Sequence, residues 1–388
     1  MPKLLMVSTV GITLKSFLVP YARFFRSLGW SVDALACGAG EYAENRDSFH
    51  HLHEIHWSRN PLDPRNFAEA PRFIAELAER EKYDIVHVHT PVAAFVTRFA
   101  LRGLRAEGRV KVVYTAHGFH FYRGNSKMKN GLFITLEKLA GRWTDRLIVI
   151  NNEDYEAALK HRIVPQEKLT LMPGIGIDLT QYNRSAVDDA QVAAVRKEMG
   201  LTPEDRYILM VAEFNPGKRH RDAVNALAQV NVPSLHLVFA GQGTLLDATR
   251  ELARRRGVEK RCHFPGQRTD IPALLKGAAA AVLPSQREGL PRSVLEAMAM
   301  GTPVIGADAR GTRDLLADGC GIIVPVGDTG ALARAFWSVF SAPGSCREPV
   351  KRASEKIMDY AVQRLQEMHG QLYAELISPN PVSREKED

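Results

Sequence analysis

Short apolar runs rich in β-branched residues alternate along the chain with longer stretches whose apolar positions recur every third or fourth residue, and the whole alternation runs twice. In the first pass residues 4–8, 32–37, 84–89, 111–116, 146–150 and 168–172 are predicted strands, with predicted helices over 14–28, 65–81, 93–107, 132–141 and 153–161. The second pass places strands at 207–211, 235–240, 261–264, 280–283, 303–306 and 322–324, and helices at 221–230, 245–257, 271–277 and 293–300. Strands separated by helices imply parallel sheets covered on both faces, because each parallel crossover needs a helix to carry the chain back. A polar segment bearing Pro and Gly, residues 173–182, separates the two passes and is the expected boundary. A last helical stretch, 351–376, precedes a charged tail, 378–388, expected to be disordered.

A length of 388 residues exceeds one ordinary core and fits two domains. With 45% hydrophobic and 24% charged residues, neither a disordered nor a fibrous chain is indicated. The longest apolar runs, 4–10 and 278–283, fall well short of the roughly 20 residues that span a bilayer. The first residues lead straight into a strand without a small-residue cleavage site, so no signal peptide is expected and the chain is assigned to the cytoplasm. Cys37, Cys262, Cys320 and Cys346 lack any Cys-x-x-Cys spacing, which suits a reducing compartment and gives no metal cage. The net charge of +7 implies an anionic partner, and nucleic acid, acidic lipid or a phosphate-bearing substrate all qualify. No helix-turn-helix, RNA-binding aromatic motif or zinc finger is present, so nucleic acid is set aside.

Residues 284–299, Pro-Ser-Gln-Arg-Glu-Gly-Leu-Pro-Arg-Ser-Val-Leu-Glu-Ala-Met-Ala, carry the most chemistry. They begin where a predicted strand ends. Gly289 and Pro291 suit a tight loop opening a helix, whose free N–H groups and positive dipole end receive a phosphate. Glu288 then precedes the helix and Glu296 lies about one and a half turns within it, so the carboxylates can accept hydrogen bonds from opposite ends of one nucleotide sugar. Two solvated glutamates beside a surface helix are the plain alternative, and the strand, glycine turn and helix context decides against it. Gly11 follows the first strand, where a small residue lets backbone approach a ligand. Residues 8–13 are not Gly-x-Gly-x-x-Gly, which counts against a dinucleotide dehydrogenase.

Glu288 and Glu296 within Glu-Gly-Leu-Pro-x-Ser-x-Leu-Glu-Ala-Met-Ala, followed by Gly301-Thr302-Pro303-Val304-Ile305, resemble glycosyltransferase family 4. Asp84 to His89, Thr115-Ala116-His117-Gly118, Gly241-Gln242-Gly243 and Gly321 to Pro325 extend the resemblance over nearly the whole chain. It implies an α/β GT-B fold of two Rossmann-like domains with an interdomain cleft. Residues 1–176 would form the acceptor side, with 351–377 crossing back onto it, and 177–350 would bind the nucleotide sugar. The resemblance also implies retention of anomeric configuration by same-face attack, the leaving phosphate oxygen taking the acceptor proton, with no metal and no cofactor beyond the substrate itself. A UDP-sugar of a hexose or N-acetylhexosamine is the expected donor. Gly118-Phe119-His120-Phe121 is typical of members that build bacterial surface glycans, capsule or exopolysaccharide, on polyprenyl diphosphate carriers, so a lipid-linked sugar is the expected acceptor.

Carried over residue by residue, Gly289, Leu290, Pro291, Arg292 and Ser293 meet the donor diphosphate, Glu296 the ribose, Glu288 the hexose, and Gly266, Gln267 and Arg268 the base. Lys218 contacts the pyrophosphate as a point cation, and Gly11 approaches the donor. His117 sits over the donor sugar and completes a catalytic set with Glu288 and Lys218. Thr13, Lys15, His120 and Arg123 are assigned to acceptor phosphate, an ordinary helix cap remaining open for Thr13 and Lys15. The family pattern has an arginine five residues before Lys218, where this chain has Glu213, itself placed in the donor set. Arg219, Arg292, Arg310 and Arg313 are the candidates to supply the missing cation.

His50, His51, His53 and His56 match no compact metal spacing, and no metal is assigned. Asn183-Arg184-Ser185 is a glycosylation sequon that a cytoplasmic chain never presents. Residues 17–30 interleave aromatics with two arginines, which suits an interfacial helix on anionic lipid as well as a helix packed on the sheet. Peripheral contact with the inner face of the cell membrane is therefore expected. A GT-B epimerase or hydrolase and a non-catalytic nucleotide-sugar-binding protein are the competing functions.

Overall fold

The computed structural model describes residues 1–57, 69–122 and 124–378, so Arg123, the start of the predicted 65–81 helix and residues 379–388 lie outside the described residues. The chain divides into two compact units, Met1–Ile175 together with the chain from Gln363, and Gly176–Val362.

In the first unit seven strands form one sheet: β1 (Lys3–Val10), β2 (Ser31–Cys37), β3 (Leu52–Glu54), β4 (Ile85–Val88), β5 (Lys111–Ala116), β6 (Arg146–Val149) and β7 (Leu169–Leu171). They pair in the order β3-β2-β1-β4-β5-β6-β7, every neighbour parallel. Alternation along each strand sends Val86, Val88, Val112 and Tyr114 into one apolar core, and His87 and Thr115 to the opposite face. On that second face lie the helices Val19–Ser27 and Val362–Ile377, where Phe25 packs against Tyr373 with ring centroids 4.9 Å apart.

The second unit repeats the winding with β8 (Arg206–Val211), β9 (Leu235–Ala240), β10 (Cys262–Gly266), β11 (Ala280–Leu283), β12 (Val304–Ala307) and β13 (Ile322–Val324). The order is β10-β9-β8-β11-β12-β13, again all parallel. Tyr207 and Leu209 enter one core and Ile208 and Met210 the other, which explains why the run is apolar throughout. In both sheets the strand order reverses direction at the first strand, between β1 and β4 and between β8 and β11. Doubly wound sheets open a crevice beyond the strand carboxyl ends at such points.

Three differences from the sequence expectations have physical causes. The predicted 14–28 helix is divided into Gly11–Thr13, a π-helical turn Leu14–Leu18 and Val19–Ser27, because Pro20 has no N–H to donate and its ring crowds the preceding turn. The predicted 351–376 helix is two helices, Arg347–Lys356 and Val362–Ile377, parted by a turn and by extended Ala361. There Ile177 and Val362 exchange backbone hydrogen bonds with Tyr360 and Ile177, 2.9 and 3.0 Å long. The return to the first unit therefore begins at Gln363 rather than at 351. Finally, β3 and the helices Ala43–Ser48, Asp189–Glu198, Arg310–Leu316 and Thr329–Ser341 were not expected.

Candidate functional site

In the second unit, the loops after β8 and β11 meet. The Gln286 N–H donates to the Gly217 carbonyl at 2.9 Å and stitches one loop to the other. Asn215 opens the 3₁₀ turn Pro216–Lys218 by accepting from the Lys218 N–H, and Glu213 holds Asn215 in turn, its Oε2 accepting from Nδ2 at 3.0 Å. This arrangement brings Lys218 Nζ to 2.6 Å from Glu288 Oε1, with Glu288 buried. Residues 216–218 and 288 thus form a cation–anion pair at the reversal point of the sheet. Beyond them the helix Arg292–Ala299 begins after Pro291, whose side chain makes no capping hydrogen bond.

Glu296 lies one turn into that helix, buried, with Oε1 accepting from the Tyr182 hydroxyl at 2.7 Å and from Arg292 Nε at 3.0 Å. Burial raises its carboxyl above the usual range, against the opposing pull of Arg292 and Tyr182. The unexpected helix Arg310–Leu316 grips the same loop. Buried Arg310 donates from Nε to the Glu288 carbonyl at 3.0 Å, and Gly311 packs so closely on the Gly289 carbonyl that a Cβ would overlap it. Of the four arginines considered as replacements at Glu213, Arg310 bonds to the Glu288 backbone. Arg219 pairs with Asp222, Arg313 with Asp308 and Arg292 with Glu296. The hydroxyls of Ser285 and Thr312 are buried without a hydrogen-bond partner among the described residues.

Gly266 ends β10, and exposed Gln267 follows it. Arg268 is clasped by two carboxylates, Glu198 at 2.6 and 2.9 Å and Asp270 at 2.7 and 2.9 Å, so its guanidinium is shared with neighbours on the same rim.

In the first unit, Gly11 starts the first helix and its missing side chain admits the Gly38 carbonyl, so the close approach there is by the chain's own backbone. Lys15 pairs with Glu44 at 2.9 Å and lies over the Tyr42 ring, and Thr13 is half-buried beside it. His117 follows β5 and meets His89, the Nε2 to Nδ1 distance being 3.3 Å. His89 in turn stacks near His87, which contacts Thr115 Oγ1 at 2.7 Å and the Tyr373 hydroxyl. His369, from the returning helix, completes the cluster and donates from Nδ1 to the Leu365 carbonyl, 2.7 Å away. Burial pushes His117 and His369 down to about 4, and His87 and His89 well below the ordinary imidazole value, so all four are neutral at pH 7. His120 stacks on Phe133 at 5.3 Å, while Arg123 lies outside the described residues.

One face of residues 17–30 packs inward. Leu18, Val19, Tyr21, Ala22 and Phe25 are buried, and the arginines are tied down, Arg23 to Ser48 and Arg26 to the Asp47 carbonyl. Tyr21 and Phe25 meet the returning helix, packing on its His369 and Tyr373 with ring centroids 4.9 Å apart in each pair. Cys37, Glu54 and His56 bring ligand atoms within 4.8 Å of one another, but Glu54 already clips the Gly38 and Ala39 N–H groups at 2.6 and 3.1 Å. No helix among the described residues is long and apolar enough to cross a membrane.

Two family profiles match the two units in turn: Glycosyltransferase Family 4 over residues 17–181 and Glycosyl transferases group 1 over 192–356. Against EpsD of Bacillus subtilis (strain 168), described as a glycosyltransferase, the chain is 34% identical over 376 residues, 96% of each chain. The chain is a family 4 glycosyltransferase. This glycosyltransferase is also 32% identical, over 62% of each chain, to the Escherichia coli UDP-Gal:alpha-D-GlcNAc-diphosphoundecaprenol alpha-1,3-galactosyltransferase. Its fold is GT-B, matching Anabaena HepE, solved with UDP and glucose, with a TM-score of 0.81 at 19% identity over 97% of this chain and 100% of that one.

Proposed function

We propose that this glycosyltransferase retains anomeric configuration and moves a hexose or N-acetylhexosamine from a UDP-sugar to a polyprenyl-diphosphate-linked sugar. The observation that carries the donor half is the Lys218–Glu288 pair, held at 2.6 Å beside the uncapped start of the helix Arg292–Ala299. As the bond between the anomeric carbon and the β-phosphate oxygen stretches, negative charge grows on the diphosphate. Fixed donors that meet that charge lower the barrier by preorganised electrostatics. Lys218, the helix amides and Arg310 supply them, while Glu288 is freed to accept from a sugar hydroxyl and Glu296 from the ribose. The acceptor oxygen attacks on the face the phosphate leaves, its proton passes to the departing phosphate oxygen, and UDP is released. His117, neutral and half-buried, serves as a hydrogen-bonding wall for the sugar rather than as a cation. The acceptor half rests on the E. coli relative, whose name specifies a diphosphoundecaprenol-linked substrate.

The test is a screen of nucleotide sugars against a polyprenyl-diphosphate-linked N-acetylhexosamine, with the product anomer assigned by NMR and each reaction repeated in EDTA. Transfer from a UDP-sugar with an α product, unchanged by EDTA, is expected. An inverted product, or release of free sugar at the same rate without acceptor, would refute the proposal.

A further inference from the structure

Four histidines of the first unit form one cluster, and the chemistry proposed above uses only His117. His87 lies in β4 and His89 just beyond it, two residues apart, so the alternation of the strand turns both side chains to the same face. Thr115 in the adjacent parallel β5 and His117 just after it repeat that spacing. The two pairs therefore meet side by side. His87 is held from both ends of its ring, Nε2 contacting Thr115 Oγ1 at 2.7 Å and Nδ1 the Tyr373 hydroxyl. His89 is held between rings, its centroid 4.0 Å from that of His87 and 5.6 Å from that of His117. Its backbone N–H also donates to the Val7 carbonyl at 3.0 Å. At 4% exposure it has little room to turn.

Of the two ring nitrogens of His89, Nδ1 meets His117 Nε2 at 3.3 Å, whereas Nε2 is buried without a hydrogen-bond partner among the described residues. Burial holds both rings neutral at pH 7, and a neutral imidazole carries one N–H and one bare nitrogen. A proton on His89 Nε2 would leave a buried donor unpaired, the costlier of the two orphans, whereas a proton on Nδ1 is used. His89 Nδ1–H therefore donates to His117 Nε2. The proton of His117 then sits on its own Nδ1, which has no partner among the described residues. We propose that His89 is a positioning residue: it sets the ring plane of His117 and holds it as the Nδ1–H tautomer, so that His117 presents a hydrogen-bond donor to the sugar. The use of that donor against a sugar rests on the proposed function, whereas the tautomer itself does not.

NMR of the full chain, with histidine isotope-labelled at its ring nitrogens and neither donor nor acceptor present, tests the tautomer alone. The His117 signals, identified by their loss in His117→Gln, should show the proton on Nδ1. His89→Leu should return His117 to the Nε2–H form that free histidine prefers. Turnover is read separately, as UDP release. His89→Leu should lower kcat roughly 10- to 100-fold, the scale of a misaligned group, with donor KM within about twofold of wild type. His89→Asn, whose amide nitrogen falls where Nδ1 stood, should recover most of that loss. His89→Gln, whose amide reaches only the Nε2 position, should lose as much as His89→Leu. In a His117→Ala background, His89→Leu should change kcat little further, because a residue acting through His117 has nothing left to position. A proton on His117 Nε2 in the wild-type chain, equal losses in the Asn and Leu variants, or additive losses in the double variant would overturn the proposal. The wild-type spectrum decides even where a variant fails to fold. A failed donor screen alongside His117 protonated on Nδ1 would refute the proposed function and leave the positioning by His89 standing.

Discussion

Lys218 is the residue whose removal separates charge stabilisation from binding. Its ammonium pairs with Glu288 and stands at the uncapped helix start, so Lys218→Ala should lower kcat by roughly 10²–10³, the scale of losing one preorganised donor. UDP release at saturating donor measures this, and a near-normal kcat would remove Lys218 from the chemistry. The buried histidines give a second expectation. His117 and His369 bind protons near pH 4 when folded and near 6.5 when unfolded, so between those values the unfolded chain holds more protons and stability is lost as pH falls. Each unit of depression is worth roughly 1.4 kcal/mol at full effect. The melting temperature should therefore drop from pH 6.5 toward pH 4, and a flat profile would show that the cluster is not held neutral. The placement of Glu288 before a helix and of Glu296 within it was legible in the sequence because strand, turn and helix carry them within one local segment. Tyr182, 114 residues from Glu296, and Tyr373, 286 residues from His87, were not, since nothing local marks a contact made across the fold.

At the scale of elements, the start of the helix Arg310–Leu316 acts as a clamp on residues 288–290. Its closest contact is backbone against backbone, with no flexible side chain to yield. Gly311→Ala should therefore push the Gly289 loop aside, costing on the order of 1–3 kcal/mol of stability and raising the donor KM several-fold. Thermal melting and donor titration read the two effects, and unchanged values in both would show that the contact relaxes freely. The sequence missed this helix. Residues 310–316 hold apolar positions only at Leu315 and Leu316, too few to show a period. Strands such as β5, β9 and β11 were legible to the residue because burial on both faces leaves a run in which apolar residues dominate. The edge strand β3, Leu-His-Glu, is half-exposed and shows no such run. Helix ends at Pro20 and Ala361 were hidden for a different reason: a π turn and a single extended residue interrupt a pattern whose apolar spacing continues across them.

Across the whole molecule, two doubly wound sheets share one strand order, and each keeps its candidate chemistry at the carboxyl end of the strands where that order reverses. The two parallel, helix-covered sheets followed from the doubled alternation of runs and periods, because each parallel crossover needs a helix to carry the chain back, whereas the strand order was not predicted. Where the last helix rejoins the first unit did not follow, since it depends on one extended alanine. That rejoining also sets an order of assembly. During synthesis, the sheet of the first unit leaves the ribosome with Phe25, Tyr21 and His87 still lacking their cover, and waits while the entire second unit is translated before Tyr373 and His369 arrive. The nascent chain thus carries an open apolar seam on its earliest portion until the last helix is made.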